Sequence, residues 1–502
     1  MINKKPLLQV LIAAIIITTL FHKQALGLNL LVFEIIFIVW LLITKQFKSS
    51  SFSQIICGLG LITSLIFSVI TYSVFGYIIH FISLILFIGS LIYPEVKSLI
   101  HAFVLGLNSL LHAQIQFFEK LGGQEKKGTK PLRIFRNLSI FLVPIVLIIV
   151  FIFIYKASNP VFEKMITKVG EAISDAWIYV FQDFDFLILL TFLIGLLISS
   201  FLLIRIKNKW IAEKDKNSSD KLLRTRTKKV IHFRMNALKN EYKAAIFLLF
   251  ALNILILLLN CMDVYWVWLN FEYEGQYLKQ FVHEGTYLLI LSIIISMGIV
   301  LFFFRANLNF YSRNKFLTYL SYIWLAQNAF LVISVAIRNF IYISHFALAY
   351  KRIGVFIFLI LTLFGLLTVI LKVKKKKSTF YLFRTNSLAL LIILLISSSI
   401  NWDVIIAKYN FKKSTESFLH LDYMATLSDK ALPYLDKTLE ELNQLNMIQK
   451  EKYNFRARYM TPEEYVAAIE KRQTEFITKW ENKSILSWNY AEYLAYKKLK
   501  TE

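Results

Sequence analysis

Eleven apolar runs fill most of the first 400 residues, and the pattern then turns polar for 401–502. The runs are 6–21, 25–44, 54–71, 74–93, 138–155, 186–204, 244–262, 286–304, 318–336, 353–371 and 386–400. A helix needs roughly 20 apolar residues to cross the hydrocarbon core of a bilayer, so most of these runs are long enough. Lipid offers no partner for backbone N–H and C=O groups, and a helix satisfies them within its own segment. The two-residue alternation of a membrane barrel is absent. The pattern predicts an all-α fold: a polytopic transmembrane helix bundle over 1–400 followed by a small helical C-terminal domain over 401–502.

Two segments between the runs have helical period without continuous apolarity. In 97–118, Leu99, Phe103, Leu107, Leu110, Leu111 and Phe118 share a face. In 160–183, Phe162, Met165, Ile166, Val169, Ile173 and Trp177 oppose Glu163, Lys164, Lys168, Glu171 and Asp175. This is the signature of helices lying in the membrane interface. A spanning reading of 97–118 is the alternative; the basic block that follows it argues for the interface. In the tail, 428–445, 462–480 and 485–499 read as helices. Thr461 before Pro462, Glu463 and Glu464 is a helix-start signature.

Charge adds orientation. Lys and Arg collect in 1–5, 45–48, 120–136, 205–243, 305–315 and 372–384, which eleven spans put on one side. The alternate loops 156–185 and 263–285 are rich in acids. Lys/Arg-rich loops stay in the cytoplasm, so the N-terminus is expected inside and the tail outside. The net charge of +25 then requires no nucleic acid: the tail has 16 Lys/Arg against 15 Asp/Glu, and the excess lies in the membrane part. Loop 205–243 has 13 Lys/Arg against 4 Asp/Glu. Its plain reading is a topology signal beside anionic headgroups; docking of a cytoplasmic partner is the functional one.

Catalytic and metal signals are weak. Cys57 and Cys261 make neither a disulfide framework nor a metal pair. His283-Glu284 begins like a zinc-protease motif, but the second ligand position is Tyr287. No phosphate-cradling glycine pattern or nucleophile elbow occurs, so no cofactor, metal or catalytic residue is assigned. Asp183 and Asp185 form a carboxylate pair whose plain reading is solvated loop acids. The first run has the basic start of a signal peptide without a small-residue cleavage site, which reads as an uncleaved anchor. Glu34, in the middle of an apolar run, must be neutral, paired or facing a cavity. His80, Asn253, Asn260, Gln327 and Asn328 read as hydrogen-bonding glue between helices.

A family resemblance rests on blocks in the last half of the chain. They are Glu284-Gly285; Arg338, Tyr342 and Phe346-Ala-Leu-Ala-Tyr-Lys-Arg352; Asn401-Trp-Asp403 with Asn410; and Leu421-Asp422 with Ser428 and Ala431-Leu-Pro433. Over roughly 240–500 they resemble an uncharacterised bacterial multi-pass membrane family, domain of unknown function four-one-seven-three. Ala347 stands where that family has Gly, and Ala349 where it has Thr. The resemblance implies a bacterial cytoplasmic (inner) membrane and supplies residues, without a reaction. By the topology above, Glu284, Arg338, Arg352, Asn401, Asp403 and Asn410 fall near the outer face, with Asp422 in the tail beyond. They are expected to form an ionic network holding the tail to the bundle, or a site for an envelope ligand. At least one of Arg338 and Arg352 is expected to pair with Glu284 or Asp403. The function expected is a non-enzymatic envelope component, sensory, regulatory or scaffolding; the alternatives are a secondary transporter and a membrane enzyme acting on a lipid-linked substrate.

Overall fold

The computed structural model describes residues 5–47, 51–121, 144–145, 147–149, 151–156, 158–180, 185–224, 232–270, 275–305, 307–453 and 460–501, without the side chains of 5, 173–180, 232–237 and 275–284. These residues form an all-α membrane helix bundle with a helical tail. The bundle begins with α1 (Lys5–Phe21), α2 (Leu28–Ile43), α3 (Phe52–Thr71), α4 (Val74–Ile92) and α5 (Leu99–Leu121). After an apolar helical piece at Leu147–Lys156 come α6 (Pro160–Val180), α7 (Phe186–Leu203) and α8 (Lys209–Asn217). Then follow α9 (His232–Asp263), continued by a π-helical turn Val264–Leu269, α10 (Gly275–Phe303), α11 (Lys315–Phe346), α12 (Tyr350–Lys374) and α13 (Thr379–Ser398).

Among the described residues 8 helices are long and apolar enough to cross a membrane, and Pro6–Phe21, Leu28–Ile43 and Leu147–Lys156 are shorter apolar ones. Every apolar run in the sequence therefore coincides with a helix, though the run 138–155 lies partly outside the described residues. The helices exceed the runs where polar residues continue the period: α11 has 32 residues and carries Arg338 and Asn339 in its last turns.

Two helical cores form. Phe33, Phe37, Leu61, Leu86 and Leu105 bring α1–α5 and α7 together, and Leu249, Ile293, Leu325, Val335 and Leu366 bring α9–α12 together. α13 joins both, giving Leu391 to the first and Leu382 to the second. The expected glue is present in the second core. Gln327 donates to Asn253 Oδ1 at 2.8 Å, Asn260 donates to the Gln327 carbonyl at 3.2 Å, and Asn253 also reaches the Leu320 carbonyl. Asn328 instead donates within its own helix, to the Trp324 carbonyl.

The turns gather at two ends. One is basic: Asp215 accepts from the Lys97 and Ser98 amides, Arg384 pairs with Asp220 at 2.6 Å, and Lys372 donates to the Phe304 carbonyl. Part of loop 205–243 is thus built into this end as α8 and a bridge between Lys221 and Lys377; 225–231 lie outside the described residues. α5 runs across the same end. A Cβ on Gly89 would lie 1.8 Å from the Ala102 carbonyl oxygen, so the crossing with α4 is backbone on backbone. Further along, Ser109 accepts from the Ile206 amide, and Ala113 and Phe117 pack with Leu7, Val10 and Ile204. α6 starts at Asn159, whose side chain accepts from the Val161 and Phe162 amides. Its apolar Val161, Met165 and Val169 are exposed.

The tail comprises α14 (Trp402–Lys412), α15 (Leu421–Ala425), α16 (Leu432–Leu435), α17 (Leu439–Lys452), α18 (Pro462–Glu481) and α19 (Tyr490–Thr501) around Ile406, Met424, Leu432, Tyr465 and Phe476. α18 opens with the capping box of Thr461 and Glu464. The single helix read over 428–445 is broken between Leu435 and Leu439. Thr438 has extended backbone there, and its hydroxyl accepts from the Glu441 amide to start α17 afresh.

Candidate functional site at the junction of bundle and tail

The turn between α11 and α12 organises the site. α11 ends at Phe346, and Ala347 takes φ 63, a region that favours glycine. The carbonyls freed at the helix end are met by Arg352, in the first turn of α12. Its guanidinium donates to the Phe346 carbonyl at 2.5 Å and to that of Ala347, and lies 4.5 Å from the Tyr342 ring centre. Asn339 donates to the Arg352 carbonyl. From the tail, Asn410 accepts from the Leu348 amide at 2.7 Å and donates to the Leu348 carbonyl at 3.0 Å, so one side-chain amide pairs with the turn as a strand would.

A second cluster sits beside it. The buried Asp403 carboxylate accepts from the Tyr350 hydroxyl at 2.6 Å and the Ser428 hydroxyl at 2.6 Å, and Lys430 stands 3.2 Å away. Lys430, also buried, donates to the carbonyls of Thr71 and Tyr72 at 3.0 and 3.1 Å, where α3 ends. Burial alone would push the Asp403 carboxyl up. The Ser428 and Tyr350 hydrogen bonds and the Lys430 charge outweigh it and hold the group below its ordinary value. Burial draws the Lys430 ammonium down, against the pull of Asp403. One ion pair thus ties the first core, the second core and the tail together. Nearby, Leu28 donates its amide to the Trp488 carbonyl and Ser487 donates to Gln24, so the turn before α2 is held as well.

The remaining candidates are dispersed. Arg338 ion-pairs with Asp263 on α9, whose other oxygen accepts from Ser334 at 2.5 Å; a Cβ on Gly285 would be 3.8 Å from the guanidinium. The Glu284 side chain lies outside the described residues. Neither arginine is the cation at Asp403, and the alternative pairing with Glu284 lies outside the described residues. Arg352 takes helix-end carbonyls, which concentrate negative partial charge, and the cation at Asp403 is Lys430. Asp422 accepts from the Met460 amide at 3.1 Å and lies 3.7 Å from His420, on the tail's flank. Asn401 precedes α14 without a side-chain cap bond. Glu34, 2% exposed, pairs across the first core with His80 at 2.8 Å, and His80 meets the Ser64 hydroxyl at 3.1 Å. Asp185 meets Lys23 at 2.7 Å and His22 at 3.2 Å; Asp183 lies outside the described residues. Cys57 is buried and Cys261 exposed. Among the described residues no group of three His, Cys, Asp or Glu is arranged to hold a metal ion.

Sequence reasoning missed Lys430, Asp263 and Lys372 as partners. A lysine in a polar tail and acids and lysines at the ends of apolar runs carry the ordinary signal of solvated charge, and only packing buries them. A family model described as Domain of unknown function (DUF4153) matches residues 9–438. The earlier resemblance was to a differently numbered family of unknown function; this match also takes in the first 240 residues and stops within the tail. No curated protein and no solved structure matches.

Proposed function

The chain belongs to the DUF4153 family over residues 9–438, and on that premise we propose that it is a non-enzymatic component of a bacterial inner membrane, sensory, regulatory or scaffolding. The Asp403–Lys430 pair carries this reading. A side-chain pair buried under a polar tail and gripping the turns of both cores makes the tail and the membrane helices move as one body. Load or ligand on the tail is then felt at the ends of α3, α11 and α12. The Lys/Arg distribution supports a cytoplasmic basic end and a tail outside that membrane. The exposed apolar side of α6 supports an interfacial position for that helix, and the contacts of α5 support a place at the cytoplasmic surface.

The test is hydrogen exchange on the full-length protein carrying Asp403→Asn. A relay requires exchange to rise at both the 71–73 and 346–350 turns. A rise confined to the tail would mean an appended domain and would end this reading.

A second reading, proton-coupled transport, draws on the Glu34–His80–Ser64 chain, in which Glu34 Oε2 is buried without a hydrogen bond. Proteoliposomes loaded with a pH-sensitive dye distinguish the two. Proton flux that Glu34→Gln abolishes would favour transport over the relay.

A further inference from the structure

The two sides of α19 are the reverse of what water selects. Glu492 is turned inward with Ala491 and Ala495, while Tyr490, Tyr493 and Leu494 are exposed. The Glu492 carboxylate accepts from the Asn489 side chain at 2.7 Å and pairs with Lys483. In the short turn Ile485–Ser487 just before the helix, Ile485 is 76% exposed. Trp488 joins the two, its ring centre 5.8 Å from that of Tyr493 and 6.5 Å from that of Tyr490. A helix surrounded by water points its carboxylate outward and its rings toward the core. An apolar patch left on the outside marks a surface that meets lipid or another protein.

The place of the patch selects lipid. Lys483 Nζ lies 4.9 Å from the ring centre of Tyr72, the residue that closes α3, and the Trp488 carbonyl holds the Leu28 amide at the start of α2. Tyr490, Ala491 and Leu494 share a hollow of about 250 Å³ with Ile70, in the last turn of α3. Both α3 and α4 are long and apolar enough to cross a membrane. Ile70 is exposed, and so is Val74 at the start of α4, at 77%. The patch on the tail thus continues the outward apolar surface of α3 and α4 at the level where those helices end. Trp and Tyr, with an apolar body and a polar tip, are the residues enriched at that level of a bilayer. The rest of the exposed face of α19 adds Lys497 and Thr501 and no acid, so nothing on it resists the headgroups.

We propose that α19 and the turn before it lie in the headgroup region of the leaflet on the tail's side, with Ile485, Tyr490, Tyr493 and Leu494 immersed in lipid. The partner is the bilayer surface itself, met through apolar contact and without need of a charged headgroup. The inference rests on α3 and α4 crossing the membrane and is independent of any relay through Asp403. The tail then rests on the membrane along its last helix, and α18 faces water.

The experiment places an environment-sensitive fluorophore on single cysteines of the full-length protein in phosphatidylcholine proteoliposomes. The background is Cys261→Ser, and the same protein without an added cysteine is the blank for the buried Cys57. Labels at Ile485→Cys, Tyr493→Cys and Leu494→Cys should be quenched by phosphatidylcholine carrying a doxyl group near the headgroup end of its chain, to the same extent as a label at Val74→Cys. Iodide in the buffer should quench them little. Labels at Lys471→Cys and Lys479→Cys, on the exposed side of α18, should show the opposite preference. A second measurement needs no substitution: phosphatidylcholine with a photoactivatable diazirine at the same depth should crosslink to 485–494 of the unaltered protein and not to 463–479. Iodide quenching at all three patch positions, or no crosslink to 485–494, would overturn the proposal. So would protection from both quenchers that disappears as the protein is diluted into more lipid, which would make the partner a second copy. Immersion that required phosphatidylglycerol would replace apolar contact by attraction of charge and would overturn it as well.

Discussion

At Ala347 a single methyl group decides a local energy. Its φ of 63 puts the Cβ against the backbone, a strain of about 1–3 kcal/mol for a residue other than glycine. Arg352 and Asn410 hold the turn in this shape from either side. Ala347→Gly should therefore raise stability by about 1 kcal/mol, the strain relieved exceeding the added entropy of the unfolded chain. The thermal midpoint of the detergent-solubilised protein reads this directly, and a lower midpoint would show that the turn is relaxed with alanine. Glu34 presents the opposite case, a buried polar side chain held by its partner. Glu34→Lys puts an ammonium without a carboxylate partner beside His80 inside the first core and should abolish folded yield. Glu34→Gln retains a polar side chain for the His80 ring and should fold. Size-exclusion profiles of the two variants check this, and a well-folded Glu34→Lys protein would place the residue outside the core.

Helix against helix, the crossing of α4 and α5 depends on two glycines. Gly89 meets the Ala102 carbonyl, and Gly106 would put a Cβ 2.1 Å from the Ile85 carbonyl oxygen. Backbone atoms cannot swing aside as a side chain can. Gly89→Ala should cost at least the roughly 1–3 kcal/mol of ordinary overpacking and open the crossing, read as a lower thermal midpoint and faster exchange in α5. An unchanged midpoint would mean that the two helices are free to separate. The same helices mark the reach of the sequence. The apolar runs were legible because lipid forces a backbone that carries them to close its own hydrogen bonds. The capping box of α18 was legible because its partners are three residues apart. The Arg338–Asp263 pair joins residues 75 apart, and nothing local in either segment encodes it. Asn410 was singled out by resemblance, yet its grip on Leu348, 62 residues away, becomes visible only once α11 and α12 have formed a turn. Lys430 reads as a tail lysine until α3 stops beneath it.

On the scale of the whole molecule, the tail's attachment should depend on pH in one direction. The Asp403 carboxyl is held below the ordinary 3.8 in the folded state. Its stabilisation is complete above that value and fades as pH falls through the lowered one. Pepsin digestion of the full chain should cut the tail progressively faster below about pH 4, and Asp403→Asn should remove that acceleration. Lys430→Met leaves a buried carboxylate without its cation and should cost about 3–5 kcal/mol, with tail proteolysis at neutral pH as the readout. A tail as resistant as in the unaltered protein would mean that the backbone contacts at Leu28 and Leu348 suffice. Orientation is checked separately. Single cysteines introduced at 207–224 should resist a membrane-impermeant thiol reagent in intact spheroplasts, while those at 439–452 should react. Labelling of both regions alike would refute the assignment of sides.

Lys430 meets Thr71 across 359 residues of chain, and that distance is also a delay. At about 5–20 residues per second of synthesis, the end of α3 leaves the ribosome roughly 20–70 s before the lysine that will cover its carbonyls. Through that interval the nascent helices must stay inserted with the carbonyls of Thr71 and Tyr72 hydrated or borrowed by another chain. The segment that carries Lys430 then closes joints among helices inserted long before it. A ribosome that stalls ahead of Lys430 would leave α1–α13 made and the carbonyls at the end of α3 uncovered.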